Sequence, residues 1–237
     1  MLLYVIRHGD PIYDPDSLTE KGKRQAEAVG RRLALHGVDK IFASTNKRAQ
    51  LTAQPTCELM GKQMEIRDWM SEDNAARDFM LKDPERDGRW CWSFGMDATR
   101  YRTEETLALG DKWYEAFPFN LCNAKEGFER IGRESDAFFE SLGYKHEGLK
   151  YRVLNHTEER VAVFCHYGFG MTWLAYILNI PPVLFWSSFD INHTGVTVVN
   201  FRKGENGFTI PKVLCFSDNS HLYGERLPYE FSNYIKL

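Results

Sequence analysis

The beginning of the chain alternates between continuous apolar runs and amphipathic segments. Residues 2–6 (LLYVI) and 40–43 (KIFA) are predicted strands of the buried type, because their apolar residues do not alternate with polar ones. Residues 18–35 carry apolar side chains at helical spacing, and residues 45–60 form a second predicted helix that a glycine closes. This order of elements predicts a parallel sheet with right-handed crossover connections.

The middle of the chain, from about residue 67 to residue 144, has a different pattern. Charged residues and tryptophans are dense there, and the spacing predicts helices over 103–117 and 123–142 but no clear strand. We therefore expect a helical cap, inserted at about 70–148, in a single domain that spans residues 1–237.

The alternating pattern returns after this insertion. Residues 149–154 and 160–165 are predicted strands, residues 170–178 a short helix, and residues 194–201 and 208–216 two strands that form a hairpin at one edge of the sheet. The complete prediction is a three-layer α/β/α fold, in which helices cover both faces of a mostly parallel central sheet.

The composition limits the classes of function. The chain has 237 residues, and its 30 Lys plus Arg against 33 Asp plus Glu give a formal net charge of -3, which argues against nucleic acid as a partner. Apolar residues make up 43% and charged residues 27%, as is typical of a soluble globular protein. No apolar run approaches the roughly 18 residues of a membrane span, and the first run is too short for a signal peptide.

The cysteine and histidine patterns favour neither disulfides nor a metal site. The 5 cysteines have no C-x-x-C spacing, and an odd number argues against a complete disulfide framework, so a reducing cytoplasm is the expected location. The 7 histidines lie far apart and form no H-E-x-x-H motif, which argues against a zinc hydrolase. The oligomeric state stays open, a homodimer included.

Polar residues suited to bind an anion follow three of the predicted strands. The first strand is followed by Arg7 and His8, the second leads into Arg48, and the third ends at His166. In an open α/β sheet, ligands bind beyond the carboxyl ends of the strands, where helix N-termini add partial positive charge. Two arginines and two histidines gathered there would form a compact cationic pocket for a dianionic phosphoryl group.

These residues resemble the histidine phosphatase superfamily, which includes cofactor-dependent phosphoglycerate mutases and many phosphatases. The resemblance covers both ends of the chain in the family's order. It is carried by Arg7-His8-Gly9, by residues 18–26 (LTEKGKRQA), by residues 44–53 (STNKRAQLTA), by His166 with Gly168, and by residues 218–222 (DNSHL).

The resemblance implies roles for four of these residues. His8 would be the nucleophile that becomes phosphorylated, and Arg7, Arg48 and His166 would bind the phosphoryl oxygens, with His166 also counted as catalytic. A histidine attacks only when it is neutral, and neighbouring guanidinium groups favour that form by charge repulsion. The reaction would need no metal and no cofactor. The expected activity is that of a histidine acid-type phosphatase acting on a small phosphorylated metabolite.

A proton donor for the leaving oxygen is also required, and the family uses a carboxylic acid soon after the second helix. Asp68, Glu72, Asp73 and Asp78 are available in this part of the chain. Glu72 is our choice, because a strand over 64–69 followed by a turn would bring it over the pocket, and Asp73 is its close rival. Burial beneath aromatic residues would raise its pKa and keep the proton available.

The sequence also departs from the mutase pattern. Pro11 and Asp14 stand where the mutases have a small hydroxyl residue and an amide that help to hold phosphate. The Arg- and Tyr-rich stretch that holds a second phosphate in mutases has no counterpart here, so a phosphatase is favoured over phosphoglycerate mutase-type phosphotransfer. A non-catalytic member that only binds a phosphorylated ligand is the other alternative.

Aromatic residues, 14% of the chain, are expected to line the mouth of the site as well as the core. The candidates lie between residues 69 and 114 and are mixed with arginines that could meet a second anion on the substrate. They are Trp69, Phe79, Trp90, Trp92, Phe94, Trp113 and Tyr114, with Arg77, Arg86 and Arg89.

Overall fold

The computed structural model describes residues 1–83, 86–204 and 206–228. The strands are β1 (Leu2–Arg7), β2 (Pro11–Tyr13), β3 (Asp16–Leu18), β4 (Lys40–Ser44), β5 (Met64–Arg67), β6 (Met80–Lys82), β7 (Trp90–Trp92), β8 (Tyr144–Glu147), β9 (Lys150–Val153), β10 (Arg160–Cys165), β11 (Val196–Asn200), β12 (Phe208–Thr209) and β13 (Lys212–Asp218). The α-helices are α1 (Glu20–His36), α2 (Lys47–Met60), α3 (Glu72–Phe79), α4 (Glu104–Ala108), α5 (Ala124–Ser141), α6 (Tyr167–Ile177), α7 (Pro182–Trp186) and α8 (Ser220–Gly224).

A six-stranded sheet with the order β13-β11-β1-β10-β4-β5 forms the centre of the molecule. The pairings of β1, β10, β4 and β5 are parallel, whereas β11 and β13 add antiparallel pairs at one edge. The predicted mostly parallel central sheet is therefore confirmed.

Helices cover both faces of this sheet, because successive strand residues point to opposite sides. On β10, Val161, Val163 and Cys165 face the cluster that contains side chains of α5 and α6. Ala162 and Phe164 face the other cluster, with side chains of α1 and α2. Three layers result, as expected from the buried type of the strands.

The predicted edge hairpin forms, but its second strand is divided. Phe208 and Thr209 pair with β9 in a separate three-stranded sheet, and only Lys212–Asp218 pairs with β11. Pro211 stands between the two pieces, and proline has no N–H to donate to a strand ladder. The hydrophobic pattern continues through this position, so it did not reveal the break.

The middle of the chain contains strands that the sequence analysis did not predict. β6 and β7 form an antiparallel pair, and β2 pairs with β3 in a second small hairpin near the N-terminus. Strands of three residues are too short to show a period of two. The predicted helix over 103–117 is also shorter, because α4 gives way to a 3-10 helix that begins at Gly110, whose φ is 55°.

Most of the aromatic side chains proposed for the mouth belong to the core instead. Trp113 packs edge-to-face on Phe119 and Trp186, and Trp69 packs in the same way on Phe169 and Trp173. Within the described ranges, no helix is both long enough and apolar enough to cross a membrane.

Candidate active site

The carboxyl ends of β1, β4 and β10 bring the predicted residues together at one edge of the sheet. Arg7 lies opposite Cys165 in the parallel register of β1 and β10, so His8 and His166 follow side by side. Their ring centroids are 5.1 Å apart. Arg7, His8 and Arg48 line a cavity of about 520 Å³, and His166 lies fully buried beneath it.

The His8 ring has a fixed tautomer. Its Nδ1 lies 2.7 Å from the carbonyl oxygen of Gly9, which can only accept, so Nδ1 carries the proton and Nε2 of the neutral ring has the lone pair. Burial, followed by repulsion from Arg7 and Arg48, holds the pKa of His8 well below its ordinary value. The imidazole is therefore neutral at neutral pH.

His166 is held by a hydroxyl group of the neighbouring strand. Its Nε2 lies 2.8 Å from Ser44 Oγ, and its Nδ1 is buried without a partner among the described residues. Burial lowers the pKa of His166 well below the ordinary value, with repulsion from His8 and the two arginines acting in the same direction. The imidazole of His166 is therefore neutral at neutral pH.

The two arginines are each anchored at one end of the guanidinium group. Arg7 Nη1 donates to the carbonyl oxygen of Ile191 at 2.7 Å, and Arg48 Nη1 donates to Asp16 at 2.9 Å. The Nε–H groups of both side chains are buried and have no partner in the described part of the chain. Buried donors of this kind are usually satisfied by an acceptor, and a tetrahedral oxyanion supplies several.

His193, which the sequence analysis did not select, also belongs to this cluster. Arg7 Nη2 donates to His193 Nε2 at 3.0 Å, and the rings of His8 and His193 are 5.5 Å apart. Nδ1 of His193 faces Asp10 at 3.7 Å. Burial, together with repulsion from Arg7, lowers the pKa of His193 to about 3, so the imidazole stays neutral and accepts from Arg7.

The C-terminal DNSHL segment holds the His193 loop in place. Asn219 Nδ2 donates to the carbonyl oxygen of His193 at 2.8 Å, and His221 Nε2 lies 3.1 Å from the hydroxyl of Thr194. The Thr194 N–H donates to the carbonyl oxygen of Arg7, which maintains Thr194 in the left-handed region at φ 55°. In the sequence this segment contributed to the family resemblance, but it gave no signal that selected His193.

Glu72 lines the cavity and caps the helix that follows His166. Its two carboxyl oxygens accept the backbone N–H groups of Gly168 and Phe169, at 2.9 and 3.0 Å. The ring of Trp92 lies so close to Gly168 that a Cβ there would overlap it. Burial raises the pKa of Glu72 above its ordinary value, although the two N–H groups and the arginines oppose the shift.

The other candidate acids are placed differently. Asp73 is exposed at the cavity wall, where its Oδ2 accepts Asn46 Nδ2 at 3.0 Å. Asp78 is buried in an ion pair with Arg130 at 2.8 Å, and Asp68 does not line the cavity. Glu72 is therefore the acid that combines access to the cavity with a raised pKa.

The hairpin of β2 and β3 adds two further residues to the cavity wall. The Tyr13 ring lies 5.4 Å from the Arg48 guanidinium carbon. Asp16 accepts both from Arg48 and, at 2.7 Å, from the backbone N–H of Lys47 at the start of α2. Asp14, which aligns by spacing with the phosphate-binding amide of the mutases, does not line the cavity.

The cavity wall contains few of the aromatic residues and none of the arginines that the sequence suggested for the mouth. Of the proposed aromatic residues, only Trp92 lines the cavity, and Trp90 is 64% exposed outside it. Arg77 and Arg86 pair with Asp78 and Asp83, and none of the three proposed arginines lines the cavity.

No group of three or more His, Cys, Asp or Glu within the described ranges could hold a metal ion.

A family model described as the histidine phosphatase superfamily, branch 1, matches residues 3–211. The chain belongs to this superfamily. The predicted resemblance is thereby confirmed, and the matched residues include all the strand ends that form the cavity. A search of the curated proteins finds no match.

Solved structures of phosphatases have a similar fold at low sequence identity. One is phosphoserine phosphatase from Entamoeba histolytica with 3-phosphoglyceric acid (TM-score 0.60, 20% identity, 93% of this chain and 98% of that chain covered). Another is a putative alpha-ribazole-5'-P phosphatase from Escherichia coli (0.60, 18%, 92% and 97%). A third is mycobacterial glucosyl-3-phosphoglycerate phosphatase with VO3 (0.59, 16%, 91% and 98%). At these identities the likeness establishes the fold.

Proposed function

We propose that this protein is a histidine acid-type phosphatase, which hydrolyses a small phosphomonoester through a phosphohistidine formed at Nε2 of His8. The observation that carries the proposal is the tautomer of His8. Its Nδ1–H is committed to the Gly9 carbonyl, so the lone pair at Nε2 belongs to a neutral ring on a cavity that two arginines also line. The phosphatases among the similar structures are consistent with this chemistry.

The reaction proceeds in two displacements. Nε2 of His8 attacks phosphorus as the bond to the leaving oxygen breaks, and Glu72 donates its proton to that oxygen. In the second step, Glu72 takes a proton from water as the water oxygen attacks phosphorus and the P–N bond breaks. Inorganic phosphate leaves, and His8 and Glu72 return to their starting states.

The surrounding cations stabilise charge on the transferring phosphoryl group. Positioning and electrostatic stabilisation dominate phosphoryl transfer, because its transition state spreads charge over the equatorial oxygens. Arg7 and Arg48 supply donors whose buried Nε–H groups have no partner in the described residues, and the neutral ring of His166 lies beside that of His8. Their anchors at Ile191, Asp16 and Ser44 fix the donors before the substrate binds.

Hydrolysis is favoured over mutase-type phosphotransfer by the cavity wall. Arg7 and Arg48 are the cationic side chains among its described lining residues, and both belong to the phosphoryl end. A mutase must hold a second anionic group at a fixed distance from the first. Away from the arginines the wall offers the Asp73 carboxylate, which would repel it.

The test is hydrolysis of para-nitrophenyl phosphate together with trapping of the intermediate. We expect the wild-type protein to release phosphate and, after a rapid quench in base, to carry a phosphoryl group on the peptide that contains His8. His8→Ala should lose both signals, whereas His36→Ala, at an exposed helix end, should retain them. A wild-type protein that binds phosphate but turns over no member of a broad phosphomonoester panel would support the ligand-binding alternative.

A further inference from the structure

We infer that the preferred substrate is a phosphomonoester whose leaving group carries an apolar ring and no negative charge. This inference rests on the proposed function, since it concerns the leaving-group end of the same cavity. The cavity wall outside the phosphoryl end has the chemistry that would select such a leaving group.

The two arginines of the wall lie at its phosphoryl end. Arg7 Nη2 donates to His193, whose ring lies 5.5 Å from that of His8, and Arg48 is paired with the carboxylate of Asp16 at 2.9 Å. Glu72 is the protonated acid of the proposed function, so Asp73 is the lining carboxylate with no cationic partner among the described residues. Beyond the phosphoryl end, a substrate carboxylate or second phosphate would thus meet the Asp73 carboxylate and find no cation among the described lining residues.

The Asp73 carboxylate is held in place rather than free to turn away. It accepts from Asn46 Nδ2 at 3.0 Å, and Oδ1 of Asn46 accepts from Ser71 Oγ and from the N–H of Glu72. Moving this carboxylate to make room for a substrate anion would break a charge-assisted hydrogen bond, which belongs to the stronger class.

The rest of the wall is apolar and partly aromatic. Trp92 lies against Gly168 and stacks on Phe94, with ring centroids 5.4 Å apart at 21°, so its indole is a rigid surface. Tyr167, whose ring lies 5.1 Å from the Arg7 guanidinium carbon, and Met80 line the same cavity. Flat rings and a flexible thioether favour a ring-bearing leaving group, because they bury its apolar surface and stack on its faces.

The experiment compares matched benzyl esters, whose leaving alcohols differ little in acidity. We expect kcat/KM for benzyl phosphate to exceed that for para-carboxybenzyl phosphate by about tenfold or more, which corresponds to about 1.4 kcal/mol. Para-aminomethylbenzyl phosphate should be turned over at least as well as benzyl phosphate. Ethyl phosphate, whose leaving group is uncharged but has no ring, should have a lower kcat/KM than benzyl phosphate.

A charge reversal tests whether the wall is the cause. Asp73→Lys places a cation at the leaving-group end and should reduce the ratio of kcat/KM for benzyl phosphate to that for the carboxybenzyl ester about tenfold. Glu134→Lys makes the same change in net charge on the exposed face of α5 and should leave the ratio unaltered.

Two results would overturn the inference. One is equal turnover of the carboxybenzyl and benzyl esters by the wild-type protein, and the other is an equal shift of the ratio in the Asp73 and Glu134 variants. Failure of the proposed function has a different signature, in which none of the esters is hydrolysed and no phosphoryl group is trapped on His8.

Discussion

Replacement of Glu72 by glutamine tests the assignment of the proton donor. The variant preserves size and shape but has no proton to give to a leaving alkoxide. A general acid contributes roughly 10²- to 10⁴-fold, so we expect the kcat for benzyl phosphate to fall by that range. The para-nitrophenolate ion leaves without protonation, so the kcat for para-nitrophenyl phosphate should fall by less than about tenfold.

The same substitution has a defined structural cost. Glu72 accepts two backbone N–H groups, at 2.9 and 3.0 Å, whereas a glutamine amide has one oxygen and must turn its NH₂ toward the other donor. One buried N–H would then lack an acceptor, which costs about 1–3 kcal/mol. For a chain of this size, that lowers the melting temperature by roughly 2–4 °C per kcal/mol.

The assay is steady-state hydrolysis of both esters as a function of pH, with Asp73→Asn as the matched control. Because the raised pKa of Glu72 keeps it protonated to higher pH, wild-type activity on benzyl phosphate should decline as pH rises through that pKa. This alkaline limb should vanish in the Glu72 variant. If Glu72→Gln lowered kcat equally for both esters, Glu72 would not be the proton donor. If only Asp73→Asn lowered kcat more for benzyl phosphate than for para-nitrophenyl phosphate, Asp73 would be the donor.

Three further outcomes follow from the site. His193→Gln keeps an acceptor for Arg7 and should retain most of the activity, whereas His193→Phe should raise KM for para-nitrophenyl phosphate about tenfold. Equal KM values for His193→Phe and the wild type would exclude a role of His193 in positioning Arg7. The pKa values of the site histidines are lower in the folded state than in the unfolded state, so their contribution to stability is present above pH 6.5 and is lost as pH falls, by about 1.4 kcal/mol per pH unit for each histidine. The free energy of unfolding of His193→Gln, measured by urea titration, should therefore fall less steeply with decreasing pH than that of the wild type. Gly168→Ala should destabilise the fold by about 1–3 kcal/mol, because its Cβ overlaps the Trp92 ring, and combination with Trp92→Leu should restore stability; no rescue in the double variant would refute the overlap.

The sequence alone located the strands that carry the site. Continuous apolar runs are typical of buried parallel strands, and three of them end close to Arg7, Arg48 and His166. The carboxyl ends of parallel strands meet at one edge of the sheet. The meeting of these three residues could therefore be predicted from the hydrophobic pattern and from the right-handed crossovers of parallel strands, without knowledge of side-chain contacts. The short strand pairs β2–β3 and β6–β7 escaped prediction, because three residues carry too little periodicity.

Other features depended on how the side chains pack. Glu72 and Asp73 are consecutive residues at the start of α3, and a helix turns by about 100° per residue, so only the orientation of α3 separates a buried carboxyl from an exposed one. His193 lies 186 positions from Arg7 in a loop with no motif of its own, and its contact depends on the way β11 joins the sheet.

The sequence by itself thus determined the fold, the family and the cationic end of the cavity, because these depend on the hydrophobic period and on residues at strand ends. The tertiary structure decided which carboxyl group caps α6, which histidine holds Arg7 and which rings line the cavity. Those properties depend on distances between segments far apart in the chain, and burial in three dimensions, rather than residue type, sets the pKa of each group.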